Sequence, residues 1–166
     1  VQSWDDRRLR YLGRRHDAAQ SARALELVFS EGISNVSADL IYGVPGMTPA
    51  DLRIDLEKTL SFPVTHLSAY HLTVEDGTKF GRMKKEGKLK ETDEEVSASM
   101  FTLLGNICRE HGFIHYEISN FAKEGFISRH NSSYWKQLPY IGLGPSAHSF
   151  DRRSRQWNVS DVRKYI

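Results

Sequence analysis

The sequence predicts an α/β fold built on parallel strands, on three observations. Residues 36–42 and 66–74 are β-branched and aromatic runs bounded by turn residues, which read as buried strands. Helical periodicity precedes and separates them. The connections are long enough for right-handed crossovers between parallel neighbours, giving the order strand, helix, strand, helix, strand.

The first strand is only its end, Val1-Gln2-Ser3-Trp4, and the chain is expected to be a piece of a longer protein. Residues 5–15 are polar and arginine-rich and read as a loop with a short helix held by Leu9 and Leu12. Arg7, Arg8, Arg10, Arg14 and Arg15 are candidates for anion binding, against the plainer alternative of a solvated basic face. Asp17 caps a helix with Ala18, Ala22, Leu25 and Phe29 on one face, and Gly32 ends it. After the second strand, Gly43, Pro45 and Gly46 force a turn. Thr48-Pro49-Ala50-Asp51 then supplies an N-cap, a proline at the first helical position and an acid at the third, so a helix runs to Leu60 with Leu52, Leu56 and Leu60 as its stripe. Beyond residue 76 the pattern changes. Residues 80–89 are basic and glycine-punctuated, and Thr92 is expected to cap a long helix with Val96, Met100, Leu103, Leu104 and Ile107 inward. Gly112 stops that helix before a short strand over 114–119. The last forty or so residues are aromatic and glycine-rich and read as loops and short strands leading into a final helix from Ser160.

Composition excludes several classes. The 166 residues carry a net charge of +2, so no strongly acidic or basic partner is implied. No run of eighteen apolar residues and no charged leader with an apolar segment is present, which predicts no stable membrane insertion and a cytoplasmic location. No basic-aromatic nucleic-acid module is recognisable. The one cysteine, Cys108, excludes an internal disulfide and a cysteine-built iron–sulfur or zinc site within these residues.

Ligands of parallel α/β folds sit outside the carboxyl ends of the strands. Gln2, Arg14 and Asp39 fall there, an amide, a guanidinium and a carboxylate suited to a charged, nucleotide-like molecule. Each also has a bland reading, since a strand-end Asp often only caps the next loop. Gly43-Val44-Pro45-Gly46 lacks a Walker lysine and reads as a tight turn. His130-Asn131-Ser132-Ser133-Tyr134-Trp135 places an imidazole beside an amide and two large rings, which suits a flat ligand or haem iron, against the commoner case of a lone histidine that is structural.

Six blocks carry a family resemblance: Val1-Gln2-Ser3, Leu12-Gly13-Arg14, residues 38–43, residues 116–122, residues 129–135 and Tyr140-Ile141-Gly142-Leu143-Gly144-Pro145. In this order they resemble the oxygen-independent coproporphyrinogen III oxidase-like family of radical S-adenosylmethionine (SAM) proteins, and within it the haem-chaperone, HemW-like branch. The resemblance implies the later part of a (β/α)6 partial TIM barrel over residues 1–76, with the end of the barrel and the start of an α+β C-terminal region over 77–166. It implies SAM contacts at Gln2, Arg14, Asp39, Ile41 and Thr73, with Asp39 on a sugar hydroxyl, Arg14 on the methionine carboxylate and Ile41 by the adenine. It associates His130, Asn131, Tyr134 and Trp135 with haem, His130 as a possible iron ligand. The family's three-cysteine motif for a [4Fe–4S] cluster is not among these residues, so the piece alone is expected not to cleave SAM reductively. For the intact protein the resemblance implies haem binding and delivery to haemoprotein acceptors. The alternative is oxidative decarboxylation of coproporphyrinogen III to protoporphyrinogen IX; a third reading is a structural half-barrel with no ligand of its own.

Overall fold

A computed structural model describes residues 1–166, which form two compact units, 1–127 and 128–166. The larger unit holds a four-stranded sheet in the order β1-β2-β4-β3. Here β1 is Ser37–Tyr42, β2 His66–His71, β3 Ile114–Glu117 and β4 Asn120–Ala122. β1 and β2 are parallel, as the long crossover between them requires, whereas β4 runs antiparallel to β2 and β3 antiparallel to β4. The predicted first strand is reduced to one parallel bridge, Gln2 to Leu40.

Helices α1 (Asp6–Tyr11), α2 (Ala18–Ser30), α3 (Pro49–Leu60), α4 (Lys79–Lys85) and α5 (Glu94–Glu110) complete this unit. Reciprocal capping boxes, Asp17 with Gln20 and Thr48 with Asp51, start α2 and α3 where the sequence signals lie. Leu52 and Leu56 of α3 join Met100, Leu104 and Ile107 of α5 in one core with Ala38, Leu40, Tyr42, Leu67 and Phe121 of the sheet. Each buried leucine there contributes roughly 1.5–3 kcal/mol. Strand alternation sends Ser37, Asp39 and Ile41 of β1 to the opposite face, where Ser37 and Asp39 are exposed.

Four expectations need correction. Residues 80–89 are not merely a basic segment: Thr78 accepts from the Gly81 amide at 3.0 Å and starts α4. Gly81 belongs there because a Cβ would run into the Glu75 carbonyl. The cap of α5 is Asp93, whose carboxylate accepts from the Glu95 and Val96 amides. Thr92 instead donates to the Gly43 carbonyl at 2.8 Å, tying the loop after β1 to the start of α5. β2 ends at His71, and residues 114–119 give β3 and a tight return into β4 rather than one strand. Both β3 and β4 belong to the same sheet as β1 and β2.

The smaller unit contains α6 (Arg129–Trp135), a hairpin of β5 (His148–Phe150) with β6 (Arg155–Trp157), and α7 (Val162–Tyr165). α7 is capped by Asp161, one residue after the expected Ser160. Tyr140 pairs with Phe150 by a reciprocal pair of 2.9 Å backbone hydrogen bonds. No helix of the chain is long and apolar enough to cross a membrane.

Candidate functional site

The face of the larger sheet that carries Ser37 and Asp39 is polar. Register pairs Ser37 with His66 and Asp39 with Ser68 across β1 and β2, and Ser68 with Asn120 across β2 and β4. Paired residues project to one face, so Asp39, Ser68 and Asn120 form a row, with Ser37 and His66 in the row beside it. The His66 ring bridges the Ser37 hydroxyl at 2.8 Å and the Tyr116 hydroxyl at 2.7 Å.

Burial pushes the His66 pKa below its ordinary value of 6.5, against an opposing pull from Asp39 and Glu117. Its folded state therefore binds a proton less readily than the unfolded chain. The stabilisation is complete above pH 6.5 and is lost as pH falls through that value toward the lowered one. His66→Leu is expected to flatten the stability profile just below pH 6.5, as read by urea midpoints; an unchanged slope would remove His66 as its source.

Asn120 is 5% exposed. Its Nδ2 donates to the Glu117 carboxylate, which fixes the amide's orientation, and its Oδ1 is buried without a partner. The Asp39 row thus carries an exposed carboxylate at one end and an unanswered acceptor at the other. A ligand rich in hydroxyl or ammonium donors fits that band.

The structure brings three predicted residues together. The Gln2 amide donates to the Asp39 carbonyl at 2.7 Å, and the Ile41 amide to the Gln2 carbonyl at 2.9 Å. Gln2 has φ 67°, a left-handed conformation that costs an L residue about 1–2 kcal/mol. Asp39 is the third of the six residues of β1, short of that strand's carboxyl end. A cleft of about 580 Å³ is lined by Val1, His16, Gln20, Leu25, Ser37 and Asp39. Arg14 is exposed, its amide donating to the Leu9 carbonyl at 2.9 Å after α1. Thr73 is exposed two residues beyond β2, not at its last residue.

In the smaller unit, α6 presents two i,i+4 pairs, His130 with Tyr134 and Asn131 with Trp135. The His130 and Tyr134 rings meet edge to face at 5.1 Å, and Tyr134 meets Tyr140 at 4.9 Å. His130 is exposed, and Tyr134 and Trp135 are 46% and 59% exposed. An imidazole and large apolar rings on one short helix can both ligate and cover a flat ligand.

No protein-family model matches the chain. Over all 166 residues it is 36% identical to the heme chaperone HemW of Bacillus subtilis and 34% identical to that of Lactococcus lactis, spanning 44% of each. Over 151 residues, 89% of the chain, it is 38% identical to the mouse mitochondrial radical S-adenosyl methionine domain-containing protein 1. The chain belongs to the HemW branch of the radical SAM proteins. It spans less than half the length of the HemW relatives it matches. The HemW-type fold agrees with solved structure: coproporphyrinogen III oxidase (HemN) from Escherichia coli, a radical SAM enzyme, superposes with a TM-score of 0.79 over 99% of this chain and 41% of its own, at 17% identity. The expected partial barrel is therefore the architecture.

One constellation in this HemW-family chain escaped sequence reasoning. Asp55 of α3, 1% exposed, accepts from the Ser3 hydroxyl at 2.8 Å and the Trp4 amide at 2.9 Å, with the Arg8 guanidinium 3.5 Å away. Arg8 also reaches Asp5 and Asp51 at 3.4 and 3.3 Å, and the Trp4 indole donates to Thr59 at 2.8 Å. Two of the five candidate anion-binding arginines are thus engaged within the fold, Arg8 in this network and Arg7 with Asp5. The network pins the Gln2 bridge and α1 onto α3, and so positions the loop that carries Arg14. The available signal was an acid on the Leu52, Leu56 and Thr59 stripe.

Proposed function

We propose that the intact protein is a cytoplasmic haem chaperone that binds haem and SAM and passes haem to haemoprotein acceptors. The observation that carries this reading is the cluster of His130, Asn131, Tyr134 and Trp135 on α6, with the His130, Tyr134 and Trp135 rings exposed, in a chain 34–39% identical to heme chaperones. His130 is proposed to face the iron, with Tyr134 and Trp135 covering the macrocycle and Asn131 donating or accepting at its rim.

SAM is proposed to lie along the strand ends of the larger unit. The exposed Asp39 carboxylate accepts ribose hydroxyls, and Ile41 packs by the adenine. Arg14 pairs with the methionine carboxylate, Gln2 answers whichever polar group lies next to it, and Thr73 lines the loop beyond β2. The unanswered Asn120 acceptor and the exposed Asp39 carboxylate suit a donor-rich ligand of this kind. With a [4Fe–4S] cluster, SAM supplies one-electron chemistry. These residues do not hold the cluster: the one thiol, Cys108, is fully buried in α5 and burial pushes its pKa up to about 12.

The test uses the intact protein with reconstituted cluster. It is expected to bind haem with a defined Soret band and to transfer it to an apo-haemoprotein, leaving coproporphyrinogen III unconverted in the presence of SAM and reductant. Conversion to protoporphyrinogen IX without haem binding would replace the chaperone reading with the oxidase.

A further inference from the structure

We infer that the hairpin of the smaller unit is the anion-binding edge of its ligand site, Arg152, Arg153 and Arg155 taking the carboxylates of a planar dicarboxylic molecule whose ring system lies over Tyr140 and Phe150. The inference rests on the haem-binding reading and adds to α6 a second set of residues.

Charge is the first observation. Residues 128–166 hold seven Arg and Lys against two Asp, a net +5, in a chain whose total is +2. Of the two acids, Asp161 caps α7. Asp151 is consumed by the hairpin turn: its carboxylate accepts from the Arg153 and Ser154 amides at 2.8 and 2.7 Å and from the Ser154 hydroxyl at 3.1 Å. No ion pair of the chain involves Arg152, Arg153 or Arg155. Three guanidiniums within four residues repel one another, and a fold gains nothing from them without a counter-charge.

Shape is the second. Beside the turn lies a cleft of about 400 Å³ lined by Tyr140, Ile141, Ser149, Phe150, Ser154 and Gln156. The Arg155 guanidinium lies 6.0 Å from the Phe150 ring centroid. Rings connect this cleft to the HemW-type cluster: His130 to Tyr134 at 5.1 Å, Tyr134 to Tyr140 at 4.9 Å and Tyr140 to Phe150 at 6.1 Å. Ile141 stands 82% exposed at the rim. A run of edge-to-face and tilted rings with an imidazole at one end and the Arg155 guanidinium by Phe150 at the other suits an apolar ring system bearing carboxylates on one edge. Arginine suits that edge better than lysine because its planar fork pairs with a carboxylate through two hydrogen bonds.

Backbone geometry supplies a variant that spares the fold. Arg152 sits at φ 77°, so Arg152→Gly removes the guanidinium and relieves a left-handed residue at once. The test titrates the intact protein with iron mesoporphyrin and with its dimethyl ester, in the wild type and in the R152G/R153Q/R155Q variant, following Soret absorbance. The free acid is expected to bind the variant about tenfold more weakly, equivalent to about 1.4 kcal/mol. The ester is expected to bind both proteins alike, and added salt to weaken only the wild type's hold on the free acid. Equal affinity of the two proteins for the free acid would overturn the assignment while leaving haem binding intact. Equal losses for acid and ester would also overturn it, making the arginines structural. Loss of binding to phosphatidylserine vesicles with porphyrin affinity unchanged would reassign the arginines to a lipid surface. No porphyrin bound by the wild type would end the haem reading itself, and with it this one.

Discussion

Asp55→Ala is expected to lower the chain's unfolding free energy by about 3–5 kcal/mol, the range for breaking a buried ion pair by removing one partner. The substitution leaves the Ser3 hydroxyl and the Trp4 amide without the acceptor they meet at 2.8 and 2.9 Å, inside a region where Ser3 and Thr59 are fully buried. Arg8 keeps Asp5 and Asp51, which places the loss toward the lower end. Burial raises the Asp55 pKa more than its hydrogen bonds and Arg8 lower it. The cost of holding this carboxylate charged is therefore relieved as pH falls through its raised value. Asp5 acts oppositely: the Arg7 hydrogen bond holds it at about 2, so its contribution is present above the ordinary 3.8 and lost as pH falls toward 2. Asp55→Asn keeps an acceptor and should cost much less than Asp55→Ala. Urea midpoints of the two variants measure the difference, and equal losses would show that charge, not hydrogen bonding, holds the segment.

Asp39→Ala is expected to weaken SAM binding to the intact protein by about 10- to 100-fold, the equivalent of the 1.5–3 kcal/mol assigned to hydrogen bonds on a charged group. The side chain is exposed on the sheet's polar face, so the fold should change in stability by no more than about 0.5 kcal/mol. That separation makes the experiment clean: calorimetric titration with SAM reads the site, and the melting temperature reads the fold. Unchanged SAM affinity with unchanged stability would remove Asp39 from the proposed site.

What was legible in the sequence was local. The turn at Gly43 and the caps at Asp17 and Thr48 satisfy their own helix ends within three residues, so composition alone located α2, β1 and α3. α4 was hidden because Gly81 is a poor helix former, retained there by the Glu75 carbonyl it approaches. Thr92 looked like a cap, yet its hydroxyl is spent on Gly43, 49 residues away. The same limit hid Asp55 with Ser3 and His66 with Tyr116, pairs separated by 52 and 50 residues. Residues 36–42 read as a buried strand, whereas Ser37 and Asp39 are exposed on one face, in rows that His66, Ser68 and Asn120 complete from other strands. The haem candidates lie on α6, a helix over a stretch that read as loops and short strands. Their link through Tyr140 to the hairpin arginines depends on the return of the chain at Phe150.

The most direct test of the account is a haem titration of the intact protein, wild type and His130→Ala, followed at the Soret band with far-ultraviolet circular dichroism as a fold control. Because the His130 ring lies on an exposed helix face and caps nothing, the variant should fold normally. Stoichiometric binding by the wild type, with affinity reduced tenfold or more and a shifted Soret maximum in His130→Ala, is the predicted result. The same affinity and the same spectrum in both proteins would contradict it.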